Sequence, residues 1–239
     1  MIRRWEQPHE GKKYLVTIDP ATGASQTGGK DPDRHGVFVM RAGYFDAVSG
    51  WRKPATAAAL PPVEWDIDVL GNEVLKLAEY YGGGPPGCLI VPEVNMDRGL
   101  IEFLKQAGAT IYQRELFNRR EFKRTLALGF QTNVETRGMV IERLAQAIRE
   151  WDKDGDGIEV LDLDACDELE HFVVKPNGRA EADDGWHDDR VLALAIGLSC
   201  MDGASVFSRP VRHRSLPPDL RAHAGLKHGD KAPGWATFA

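Results

Sequence analysis

The chain has 239 residues, 42% of them hydrophobic and 28% charged, with a formal net charge of −6. That is enough chain for a substantial core, and the acidic balance excludes nucleic-acid binding through bulk charge alone while leaving room for local basic patches. The longest apolar run, VLALAIGL at 191–198, is too short to span a membrane. The N-terminus has no apolar signal-peptide core, and Cys88, Cys166 and Cys200 are too scattered for a zinc site or a disulfide framework.

Residues 1–12 read as a lead-in. The run YLVTID then predicts a buried strand over 13–19, ending on Asp19 and stopped by Pro20. A Gly-rich polar connection follows. GVFVMRAGYF at 36–45 predicts a second strand, with a third expected after the excursion around Trp51. AVSGWRKPATAAALPPVEW is turn-rich and reads as a surface connection. From Asp66, Ile67, Leu70, Val74, Leu75, Leu77 and Ala78 recur at helical spacing until Gly82–Gly84 stops the helix.

CLIVPE at 88–93 has the unbroken apolar character of a central parallel strand, and it too ends on an acid. GLIEFLKQAG at 99–108 predicts a helix and ATIYQR a short strand. Residues 134–151 predict an amphipathic helix with Met139, Val140, Leu144, Ala147, Ile148 and Trp151 on one face. GIEVLDLD at 157–164 suggests a strand. HDDRVLALAIGLSCM at 187–201 predicts a final helix whose opening acids suit the helix dipole. The order gives an α/β architecture: a central mixed sheet of five or more strands flanked by helices. The stretch from 203 to 239 is basic, rich in Pro and Gly, and reads as an extended or mobile arm.

The acids at element ends form the leading constellation. Asp19 closes the first strand, Glu93 a later one, and Asp188 and Asp189 open the last helix. Each alone reads as a turn former or cap. Together, at the carboxyl ends of sheet strands, they form a cluster that stays ionised only when cations neutralise it. Oxygen ligands select Mg²⁺ or Mn²⁺, and two such ions suit in-line phosphodiester cleavage.

Other patterns fail. DKDGDGIEVLDL resembles a calcium loop through Asp152, Asp154, Asp156 and Gly157. It carries Leu163 where the bidentate Glu belongs, so it reads as a solvated turn. GASQTGGK lacks the Ser or Thr of a Walker A motif, having Asp31 there. His171 and His187 fit no metalloprotease pattern, and no Ser or Cys has a nucleophile-elbow context. Arg119, Arg120, Lys123 and Arg124, with Arg114 nearby, suit either phosphate contact or a solvated face.

In order along the chain, TIDPATG, KDPDRHGVFVM, LIVPEVNMDRG, GFQTNVETRGMVIERL and GWHDDRVLALAIG resemble the nuclease domain of tailed-phage large terminases. The resemblance covers residues 13–202 and implies an RNase H-like fold of the resolvase and integrase superfamily. It also implies a metal-dependent endonuclease that cuts duplex, concatemeric viral DNA during genome packaging with two divalent cations, Mg²⁺ or Mn²⁺. Asp19, Glu93 and Asp189 match the metal-binding acids, with Asp189 favoured over Asp188 as the direct ligand. The position three residues on is Leu192, where related nucleases often have a further acid, so Asp188 or a water substitutes there.

The resemblance further implies supporting roles for Asp33, Asn95 and His187, and DNA contacts from Arg119, Arg120, Lys123, Arg124 and Arg137. Implied partners are double-stranded DNA, a packaging ATPase domain or subunit, the small terminase and the portal. The implied location is the cytoplasm of a bacterial host, without membrane attachment. Large terminases also carry an ATPase half, which this chain lacks, so the reading covers cutting alone and points to an excised domain or a free-standing relative. A Holliday-junction resolvase or RNase H on the same fold, and a noncatalytic packaging-assembly module, are the rival expectations.

Overall fold

The computed structural model describes residues 2–20, 34–62, 65–95, 98–118, 122–152, 157–176 and 178–207. They all belong to one unit, Met1–Arg209. Its centre is β2 (Lys13–Asp19), built from the YLVTI run. On one side β2 pairs antiparallel with β3 (Gly36–Arg41), placing Leu15 opposite Met40 and Asp19 opposite Gly36. Strand β3 continues to β6 (Ala55–Ala59), and β6 to the edge strand β1 (Arg3–Arg4). The other side of β2 is shared. Its later residues pair in parallel with β7 (Leu89–Pro92), and Lys13–Tyr14 pair antiparallel with β12 (Ser205–Val206). The sheet is therefore mixed, with six strands, as expected.

Five helices were identified among the described residues: α1 (Ile67–Gly82), α2 (Arg98–Gln106), α3 (Val134–Arg149), α4 (Leu163–Glu170) and α5 (Asp189–Ser199). Both faces of the sheet are covered. Leu15, Phe38, Met40, Leu89 and Val91 pack with α3 and α5 in one cluster. Tyr14, Val16, Ile18, Val37, Val39 and Ile90 pack with α1 and α2 in the other. Alternate strand residues point to opposite faces, so burial on both sides explains why these strands are unbroken apolar runs. Each fully buried Leu, Ile or Val stabilises the fold by about 1.5–3 kcal/mol.

Several expected elements differ. The second predicted strand stops at Arg41, and β4 (Tyr44–Asp46) instead forms a hairpin with β5 (Gly50–Arg52). The third strand expected after Trp51 is β6, whose five residues are all buried, and it lies inside the stretch read as a surface connection. Alanine has low strand propensity, which weakens the strand signal there, but small side chains let the covering layers approach closely.

Within the predicted strand ATIYQR, Ile111 makes only an isolated bridge to Ile90. The regular pairing lies further on, between β8 (Gln113–Asn118) and β9 (Lys123–Leu128). In α3, Val140, Leu144 and Ala147 are buried, but Met139 is 64% exposed, and Trp151, beyond the helix end at Arg149, is 62% exposed. The true buried stripe is narrower than the predicted face. The expected strand at 157–164 reduces to one bridge from Glu159 to Ala55, after which Asp162 caps α4. β10 (Phe172–Val174) and β11 (Ala180–Ala182) form a further hairpin. Strand pairing extends beyond 13–202 at both ends, through β1 and β12. No described helix is long and apolar enough to cross a membrane.

Candidate active site

The side-chain alternation that builds the core also aims the first two acids. Leu15 and Thr17 face α5, so Asp19, two residues on, points to the same side. In β7, Leu89 and Val91 face that side, and Glu93 continues their period. The strands are parallel neighbours with Ile18 beside Pro92, and the Glu93 N–H donates to the Ile18 carbonyl at 2.9 Å. Asp19 and Glu93 therefore leave adjacent strand ends on one face.

Helix α5 brings the other two acids to this edge. The Thr17 hydroxyl donates to the Ala193 carbonyl at 2.8 Å, fixing the helix on β2. Close approach requires glycine at two places. A Cβ on Gly36 would meet the Asp189 carbonyl oxygen at 2.4 Å, and one on Gly197 would meet Met40 Sδ at 2.4 Å. Gly36 is the cross-strand partner of Asp19, so the backbone of Asp189 rests beside the end of β2. The electrostatics report the same convergence. Burial pushes the Asp19 carboxyl well above its usual range, and Asp189, Glu93 and Asp188 push it further in that order, while Arg137 opposes them. Asp189 thus acts on Asp19 more strongly than Asp188 does.

Each outer acid also has a donor. Arg137 Nη2 donates to Asp188 Oδ2 at 2.6 Å. The Arg34 N–H donates to Asp189 Oδ2 at 3.2 Å, and His187 Nδ1 lies 3.9 Å from the same oxygen. Glu93 accepts from the Asn95 N–H at 3.0 Å and from the Thr132 hydroxyl. The Asn95 side chain donates in turn to Thr132. Asn95 and His187 therefore stand beside the acids. Asp33, Arg119 and Arg120 lie outside the described residues. Lys123 and Arg124 belong to β9 rather than to a helix or loop, and Arg124 pairs with Glu115 across the hairpin at 3.2 Å. Arg114 braces the hairpin base through the Leu128 and Gly129 carbonyls, at 2.7 Å each.

The donor chemistry is all carboxylate oxygen, which fits hard divalent cations. Among the described residues no three potential ligands close on a single point; Glu93 accepts from Thr132 and Asp188 from Arg137. Two cavities, of about 520 and 540 Å³, are lined by lead-in residues, by α1 and its C-cap Gly83, and by Phe207, and neither is lined by a site carboxylate. The acids instead line an edge of strand and helix ends.

Sequence reasoning missed the groups that hold the start of α5. Asp188 stands at its N-cap without a side-chain capping bond. Glu168 of α4 takes that role, accepting from the Arg190 N–H at 2.9 Å and the Val191 N–H at 3.4 Å. Burial pushes the Glu168 carboxyl up to about 8; the Arg190 N–H pulls it down, and Asp189 adds to the rise. Arg190 is itself fully buried. Its Nε donates to Asp162 Oδ2 at 2.8 Å, its Nη1 to the Leu60 carbonyl at 3.1 Å, and its guanidinium lies over Phe38. Arg3 reaches the other Asp162 oxygen at 3.1 Å. A charged residue with a partner 28 positions away leaves no periodic trace in the sequence.

No family model and no curated protein sequence matches the chain. Among solved structures, the large terminase nuclease of thermophilic phage G20c is similar in three forms. The magnesium-bound form has a TM-score of 0.56 at 17% identity, covering 83% of this chain and 86% of that one. The cobalt-bound form has a TM-score of 0.56 at 16% identity, with the same coverage. A third structure of that nuclease has a TM-score of 0.55 at 18% identity, covering 83% and 87%. At these identities the likeness establishes the fold: the chain has the RNase H-like fold of a terminase nuclease domain.

Proposed function

We propose that the chain is a metal-dependent endodeoxyribonuclease that cuts duplex, concatemeric viral DNA during genome packaging. The observation carrying this reading is the convergence of Asp19, Glu93, Asp188 and Asp189 on one edge of the sheet, on the α5 face. The similar G20c nuclease was solved with magnesium and with cobalt, which supports a divalent-cation site here.

Asp19, Glu93 and Asp189 would hold two ions, Mg²⁺ or Mn²⁺, with Asp188 beside them. When bound, the ions supply an activated water and stabilise the leaving oxygen. The protein's part is placement. The two strands fix Asp19 and Glu93 as a rigid pair. Thr132 and Asn95 orient Glu93, while Glu168 and Gly36 hold the first turn of α5 against the sheet. Lys123 and Arg124, with Arg119 and Arg120, would take backbone phosphates, contacts that position DNA without reading its sequence. The proposed partners are a packaging ATPase domain or subunit, the small terminase and the portal, and the proposed setting is the host-cell cytoplasm.

The test is plasmid cleavage in Mn²⁺, Mg²⁺ or EDTA by wild type, Asp19→Ala and Glu93→Ala. Cation-dependent cutting is expected in wild type and a loss of about 10²–10³-fold in each variant, the order of effect seen when an electrostatic catalytic group is removed. Undiminished cutting by both variants would overturn the site. No cutting by wild type, together with DNA-independent docking on a portal or ATPase, would make the chain an assembly module. Preference for four-way junctions or RNA–DNA hybrids would move it to a resolvase or RNase H.

A further inference from the structure

Arg137 projects from the second turn of α3 into the carboxylate cluster. Its Nη2 is 2.6 Å from Asp188 Oδ2, and the two side chains are only 17% and 23% exposed. Its charge reaches Asp19, opposing the three acids that crowd that group. Its Nε is buried and has no hydrogen-bond partner among the described residues. Buried donors are normally satisfied, so this N–H calls for an acceptor that the described residues do not provide. The planar guanidinium fork matches a phosphate, which it can engage through two parallel N–H groups.

The charges set a limit on what else the site can hold. With all four carboxylates ionised, as cation binding requires, they and one guanidinium carry three net negative charges. One divalent cation reduces these to one. A second turns the cluster positive while Arg137 remains on Asp188, and the like charges then repel at short range. A DNA phosphate changes this by adding negative charge and by offering the guanidinium, including its unused Nε, a better-shaped partner than one carboxylate oxygen.

We infer that Arg137 gates the second cation: in the free protein its guanidinium, held on Asp188, opposes entry of that ion, and it yields when a DNA phosphate takes it over. The inference rests on the nuclease reading above and adds its regulation, since a site gated in this way completes itself only on substrate.

The test is Mn²⁺ binding by the full chain, read from the electron paramagnetic resonance signal of free Mn²⁺. It is made with and without a short phosphorothioate duplex, after subtracting the ions held by the duplex alone. Wild type is expected to bind one Mn²⁺ tightly without DNA and two with it. Arg137→Gln should bind the second ion without DNA about tenfold or more tighter than wild type, the usual scale of coupling between two sites. Arg137→Lys keeps the charge but loses the fork, so it should resemble wild type without DNA and gain the second ion poorly when DNA is added.

Equal two-ion binding by wild type and Arg137→Gln without DNA would overturn the gate while leaving cation-dependent cutting intact. If melting in EDTA shows that Arg137→Gln does not fold, Arg137→Lys decides, and a full DNA-triggered gain in that variant overturns the proposal. Absence of Mn²⁺ binding in every protein removes both the gate and the nuclease reading.

Discussion

Helices α3 and α5 both begin at the edge where the acids gather, and they begin in opposite ways. The start of α3 is closed by its own residues. Asn133 Oδ1 accepts from the Glu135 and Thr136 N–H groups at 2.9 Å each, and Thr136 Oγ1 accepts from the Asn133 N–H at 2.8 Å. The start of α5 has no such self-closure. Its cap comes from Glu168 on another helix, and its first side chain with a buried charge, Arg190, is anchored by Asp162. Capping from outside leaves the Asp188 and Asp189 carboxylates facing the site instead of turning back on their own backbone. The self-capped helix stands on its own residues and lends the site Arg137, while the externally capped one brings the two carboxylates.

The most severe way to break this arrangement is to remove the anchor. Arg190→Ala leaves the buried Asp162 with Arg3 as its charged partner, beside the Ala165 N–H that it caps, and the expected loss is about 3 kcal/mol or more, measured by urea denaturation. Next is Gly36→Ala. The added Cβ must displace the Asp189 backbone, so a loss of about 1–3 kcal/mol is expected. Mn²⁺ binding should weaken even in variants that remain folded. A stability loss with unchanged Mn²⁺ affinity would show that Gly36 does not set the position of Asp189.

Glu168 gives a pH test. Its carboxyl is raised from the ordinary 4.5 to about 8 in the folded chain, so the folded state holds the proton more tightly across that window. Its contribution is full below about 4.5 and is lost as pH rises towards 8. In EDTA, wild type should lose stability over this range relative to Glu168→Gln, which keeps a neutral acceptor for the cap. Parallel pH profiles for the two proteins would refute this. At fixed acidic pH, Glu168→Ala should cost about 1 kcal/mol, as for loss of a helix cap, and should also weaken Mn²⁺ binding. Asn133→Ala should cost a similar or smaller amount, about 0.5–1 kcal/mol, and leave Mn²⁺ binding unchanged. If the last two variants affected the ion equally, the distinction between the two helix starts would fail.

What was legible in the sequence followed from short-range regularity. The apolar runs ending at Asp19 and Glu93 revealed buried strands. The apolar stretch after Asp189 revealed α5. What was hidden depended on distant partners or on weak propensity. Ala55–Ala59 has no β-branched signal apart from Thr56, yet it forms an interior strand because small residues suit the space between two layers. Residues 163–170 are too short and too acidic to show helical periodicity, so Glu168 had no visible role. Lys123 and Arg124 were visible as charges, but their place on a hairpin depends on pairing with Gln113–Asn118.

The shared edge of β2 has a consequence in time. Its C-terminal half takes β7 as a partner, while its first two residues pair with β12, nearly two hundred positions later. A growing chain therefore presents Asp19 and Glu93 first, and Asp189 only after about a hundred more residues. At roughly 5–20 residues per second, that delay is on the order of ten seconds. The strand that completes the edge of β2 emerges later still. Birth order thus keeps the proposed cutting site incomplete in a half-made chain, so a fragment released early carries two of its acids without the helix that brings the others.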